Sequence, residues 1–64
     1  MKHKEFIQHL VSHNCLINAQ GNNHNTYVNL STMKKATIPR QFTLDESLCK
    51  EICRQLGVEQ VKSL

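Results

Sequence analysis

The chain reads as an α+β domain of order α-β-β-β-α, a three-stranded antiparallel sheet with two helices on one face. Three observations predict it. Each end of the chain carries apolar residues at helical spacing, the middle holds three short segments rich in β-branched residues, and turn-forming residues separate those segments.

The first helix is expected over Lys2 to His13, "KHKEFIQHLVSH", where Phe6, Ile7, Leu10 and Val11 form one stripe. Lys2, Glu5, Gln8, His9 and Ser12 make the polar side, so this helix lies on something apolar, expected to be a sheet. The strands are expected over Cys15 to Gln20, His24 to Leu30 and Met33 to Ile38. Gly21-Asn22 suits a two-residue hairpin turn, because glycine and asparagine tolerate positive φ. Ser31-Thr32 is a weaker turn signal. Pro39 has no amide hydrogen for a ladder, so the third strand is expected to stop at Ile38.

The second helix has the clearest boundaries. Thr43 and Glu46 have the spacing of a capping box, and Asp45 and Glu46 put negative charge into the first turn. Leu44, Leu48, Ile52 and Leu56 recur every fourth residue, and Gly57 supplies a left-handed cap with Val58 folding back on the last turn. Residues 58–64 read as an extension that either frays or lies on a partner.

The 64 residues make a single domain spanning 1–64. A chain of this size buries only about 60% of the surface its unfolded form exposes. Any site is therefore shallow, which excludes a full dinucleotide-binding fold or a buried cofactor cavity; no cofactor is expected. Eight Lys and Arg against five Asp and Glu give a net charge of +3, with a pI near 9.0, which favours an anionic partner. No apolar run approaches the roughly 18 residues of a membrane span, and "MKHKEFIQHL" lacks the apolar centre of a signal peptide. A cytoplasmic protein with no membrane partner is expected. Cys15, Cys49 and Cys53 are odd in number and lack paired spacing, so they read as reduced thiols filling the core.

Four histidines compete for a chemical role. His9 and His13, and likewise Cys49 and Cys53, stand four residues apart, a spacing that can hold zinc if the helices bring both pairs together. The histidines lie towards a polar face and the cysteines border an apolar one, so solvation and packing account for both pairs, and no metal is expected. His24 stands apart, placed by Gly21, Asn22 and Asn23 at the start of a strand. Imidazole suits proton transfer near neutral pH. On the residues alone, a polar residue flanking a turn and a catalytic group describe His24 equally well. Regular pleating puts it with Thr26, Val28 and Leu30, the more apolar set, which is expected to face the helices; a bulge near Asn25 turns it out.

Lys34, Lys35 and Arg40 surround the third strand, with Lys2 and Lys4 at the chain start. They read either as phosphate contacts or as solvated charges that keep a strand edge from aggregating. Tyr27 is a candidate for stacking on a base or for filling a gap.

The helix-and-strand order, the "GNNH" turn opening the second strand, "TIPR" closing the third and "LCKEICRQLGV" on the last helix together resemble the HicA family of bacterial toxin ribonucleases. The likeness runs from Lys2 to Val58, and its specificity lies in the order and spacing of motifs that are individually weak. The resemblance implies a fold like that of double-stranded-RNA-binding domains, metal-independent cleavage of mRNA, and neutralisation by a HicB-like antitoxin. It also implies that His24 is the catalytic histidine and Gly21 the glycine of its turn. Asn22 stands where family members often have Ser. An RNA-binding domain without catalysis is the alternative expectation.

Overall fold

The computed structural model describes residues 1–61 as α1 (His3–Ser12), β1 (Cys15–Gln20), β2 (His24–Asn29), β3 (Lys35–Pro39) and α2 (Glu46–Leu56). The three strands form an antiparallel sheet in the order β1-β2-β3. The α-β-β-β-α order read from the sequence is therefore the observed fold. Of the C-terminal extension, residues 62–64 lie outside the described residues.

One core joins both helices to one face of the sheet. Phe6 and Leu10 of α1, Cys15, Tyr27, Ala36 and Ile38 of the sheet, and Cys49, Ile52, Cys53 and Leu56 of α2 pack into a single cluster, with Leu44 and Val58 at the ends of α2. Phe6 and Leu10 stand one turn apart and point inward, whereas Val11, which extends the same stripe, is half exposed. Asn14 ends the first turn region at φ 68°, a left-handed geometry asparagine adopts more readily than most residues.

Tertiary pairing moves the start of α2. The expected capping box on Thr43 does not form: the N-cap is Asp45, without a side-chain cap bond, and Thr43 pairs with Lys2 in an isolated antiparallel bridge. His3 donates its backbone N–H to Phe42 (2.9 Å), Leu44 donates to Met1 (2.7 Å), and the N-terminal ammonium donates to the Leu44 carbonyl (2.9 Å). These bonds tie residues 42–44 to the chain start, so the helix begins only after them. At the other end Gly57 adopts φ 70° and donates to Arg54 while Val58 donates to Cys53, the two bonds of a Schellman motif. Buried Val58 closes that turn, as its sequence position predicts.

Three strand limits shift from expectation: β2 ends at Asn29, one residue before Leu30, and both ends of β3 move. Met33 has φ 62° and belongs to the β2–β3 loop, where its N–H bonds the Asn29 carbonyl, so β3 starts at Lys35. Pro39 is the last residue of β3, not the one after it, and pairs with His24. Arg40 donates its backbone N–H to Asn23 (3.0 Å), which makes the neighbouring pair the hydrogen-bonded one. By antiparallel alternation His24 and Pro39 form a non-hydrogen-bonded pair, so the proline leaves no ladder bond unmade.

Cys15, Cys49 and Cys53 are buried free thiols, and burial pushes all three above the ordinary thiol range. The unfolded thiols ionise from about pH 8.5. The folded state then holds more protons than the unfolded one, so their stabilising contribution is complete below that pH and is lost as pH rises through the folded values. Urea unfolding is expected to show a lower midpoint near pH 9.5 than near pH 7, with thiol reagents reacting slowly until urea is added. Equal midpoints and fast native labelling would contradict this burial.

Candidate nucleic-acid interface

β2 turns Asn25, Tyr27 and Asn29 towards the helices, leaving them 8%, 6% and 4% exposed. Its alternate residues, His24 and Thr26 among them, therefore lie on the open face of the sheet. This reverses the expected orientation of the strand. The physical reason is Asn29, whose amide donates to the Leu56 carbonyl at the end of α2 (2.8 Å) while its oxygen accepts from Ser31 N–H (2.9 Å). A polar residue is buried there because both ends of its amide are satisfied. Val28, on the opposite face and outside the core cluster, is nevertheless only 6% exposed, lying between its cross-strand partners Leu16 and Lys35. The sheet's one register shift falls in β1, between Ile17 and Ala19, and not near Asn25.

The turn before β2 is displaced by one residue from the reading Gly21-Asn22. Gly21 donates its N–H to the His24 carbonyl (2.8 Å), so Asn22 and Asn23 form the bend. None of residues 21–23 has positive φ. Glycine is needed instead for close approach: a Cβ at position 21 would stand 3.0 Å from the His24 carbonyl oxygen.

Asn22, Asn23, His24, Pro39, Arg40 and Gln41 line an open cleft of about 480 Å³ at this end of the sheet. Arg40 braces it. Its backbone bonds Asn23, and one terminal guanidinium nitrogen donates to the Gly21 carbonyl (2.6 Å) and to the Asn22 carbonyl. The other guanidinium N–H groups have no protein acceptor among the described residues, so the same side chain that holds the turn can also donate to an anion. His24 is exposed, and its ring makes no hydrogen bond to the described residues.

The other basic residues are not all gathered here. Lys35 pairs with Val28, four strand positions from Pro39, a separation of roughly 13 Å. Lys34 lies at the far end against Gly57, whose added Cβ would meet the Lys34 Nζ at 3.7 Å. That places a cation at the C-terminus of α2, where the helix dipole favours it. Lys2, by contrast, is carried towards the cleft end by its bridge to Thr43. Tyr27 sits in the core, and burial raises its phenol pKa; it fills space between sheet and helices and has no open ring face for a base. The aromatic residue exposed near the cleft is Phe42, 80% accessible and next in sequence to Gln41. It falls outside the four-residue period of α2, the one sequence feature that marks it.

The two cysteines of α2 are in the core. His9 and His13 lie on the flank of α1, where His9 Nε2 bonds the Glu59 carbonyl (2.7 Å) and His13 Nδ1 bonds the His9 carbonyl (2.8 Å). Among the described residues no group of three His, Cys, Asp or Glu side chains is placed to hold a metal ion, and no helix is long and apolar enough to cross a membrane. Compared with family models, curated proteins and solved structures, the chain matches none.

Replacing Arg40 with Ala is expected to loosen the turn without unfolding the domain, at a cost of no more than about 1 kcal/mol because the bonds are exposed. Amide exchange is expected to accelerate at Gly21 and stay unchanged in α2. Unchanged protection at Gly21 would show that the guanidinium does not brace the turn.

Proposed function

We propose that this chain is a metal-independent endoribonuclease of the HicA toxin type that cleaves mRNA in the cytoplasm and is neutralised by a HicB-like antitoxin. The observation that carries the proposal is the exposed imidazole of His24 on the wall of an open cleft, beside a guanidinium some of whose donors meet no acceptor among the described residues. The α-β-β-β-α order agrees with the fold that the family resemblance implies.

The chemistry is transesterification. His24 takes the proton of a ribose 2′-hydroxyl, O2′ forms a bond to the adjacent phosphorus, and the bond from phosphorus to the 5′ oxygen breaks. The products are a 2′,3′-cyclic phosphate and a 5′-hydroxyl, the latter protonated by water or by the imidazolium just formed. Proton transfer by one positioned group supplies about 10²- to 10⁴-fold in rate. Donation from Arg40 to the charged phosphorane supplies a further electrostatic part. Lys35, roughly 13 Å along the open face from Pro39, serves the RNA backbone and positions it without reading sequence, while Lys34 stays with the end of α2.

A second reading, an RNA-binding domain that cuts nothing, is favoured by one feature. The cleft walls contain no carboxylate and no second imidazole, so no separate side chain is there to protonate the leaving oxygen.

Labelled RNA incubated with the protein in EDTA separates the two. Cleavage is expected to persist in EDTA and to fall by at least about 10²-fold in His24→Ala. The thermal melt is expected to stay unchanged, since the ring is exposed. Binding without cleavage by the unmodified protein supports the second reading, and undiminished cleavage by His24→Ala removes His24 from the mechanism.

A further inference from the structure

Among the described residues Phe42 is the most exposed of the large apolar side chains, at 80%, although it lies between a cleft and a core. Its backbone is not loose. The Phe42 carbonyl accepts from His3 N–H (2.9 Å), and the next residue, Thr43, is bridged to Lys2. The ring is thus held out from a fixed piece of main chain, with Lys2 at the neighbouring bridge position. Gln41, one residue before it, lines the cleft that contains His24 and Arg40, and successive Cα atoms are only about 3.8 Å apart. The cleft wall also presents the side-chain amides of Asn22, Asn23 and Gln41, which donate and accept as base edges require.

An exposed aromatic ring beside cationic and amide side chains is the arrangement that captures unpaired nucleotides, because every base has a face to stack and only an unstacked base can offer it. We infer that Phe42 is a stacking platform for a nucleobase next to the scissile phosphate, and that the cleft therefore takes single-stranded RNA in preference to a duplex. The inference rests on the reading of the His24 cleft as an RNA site. Phe42 acts in binding and positioning, while proton transfer stays with His24.

The test uses an RNA oligonucleotide made uncleavable by 2′-O-methylation, a matched abasic strand and a matched duplex. Phe42→Ala is expected to bind the single strand about 5- to 150-fold more weakly than the unmodified protein. Its affinity for the abasic strand and for the duplex is expected to be unchanged. The chain contains no tryptophan, so Phe42→Trp provides a single tryptophan that can be excited selectively over Tyr27, and this variant is expected to retain affinity and be quenched as the base stacks. Equal affinity of Phe42→Ala for the single strand, an equal loss on the abasic strand, or binding by Phe42→Trp without quenching would each overturn the platform even if the protein cleaves RNA. Stacking on Phe42 in a protein that never cuts unmodified RNA would leave the platform standing and overturn the ribonuclease reading. Failure of the unmodified protein to bind any of the three strands would overturn both.

Discussion

The bond from the Asn29 side chain to the Leu56 carbonyl decides which way the central strand faces. Side chains on a strand alternate with a period of two, so one residue fixed inward sets the direction of all the others. With Asn29 committed to the end of α2, Tyr27 must enter the core and His24 must face the open side. The same amide oxygen receives Ser31 N–H, which also helps shape the β2–β3 loop. A single buried amide thus ties the sheet, the last helix and one hairpin together, at the opposite end of the sheet from the cleft.

The two ends of the sheet have consequently taken different work. At the Asn29 end, Lys34 and Gly57 complete the terminus of α2, and the contacts there are structural. At the other end the chain start, residues 42–44 and the Gly21–His24 turn converge, and the polar groups left over point into open space. Arg40 belongs to both kinds of contact, because two backbone carbonyls occupy one nitrogen of its guanidinium and its other donors meet no acceptor among the described residues. A histidine on so small a sheet gains its fixed position from that bracing and from the crowding at Gly21, with no need for a deep pocket.

The elements that follow from local periodicity were legible in the sequence. The α1 stripe, the three strands and the Gly57 cap with Val58 closing over it all depend on residues within a few positions of one another. What was not legible depends on partners far along the chain. Thr43 looks like a helix cap until Lys2 pairs with it, and Asn29 looks like a surface residue until the Leu56 carbonyl meets it. Asparagines at 25 and 29 outweighed one tyrosine in the reading of strand direction, although the only tyrosine of the chain was the better marker of the buried side. Arg40, read from the sequence only as one of three cations around the third strand, shares a cleft with His24 and the asparagines of the turn because β3 pairs Pro39 with His24; Lys34, Lys35 and Tyr27 lie elsewhere, since sequence position alone does not say which end or face of the sheet a residue reaches.

On the proposed function, RNA is held at the His24 end of the open sheet face. Amide shifts of the isotopically labelled protein, followed while a 2′-O-methylated RNA strand is added, test it directly. The largest changes are expected on residues 22–24 and 40–42, with residues around Lys34 and Gly57 little moved. Changes centred on the Lys34 end, or none at any residue with RNA in excess, would contradict it.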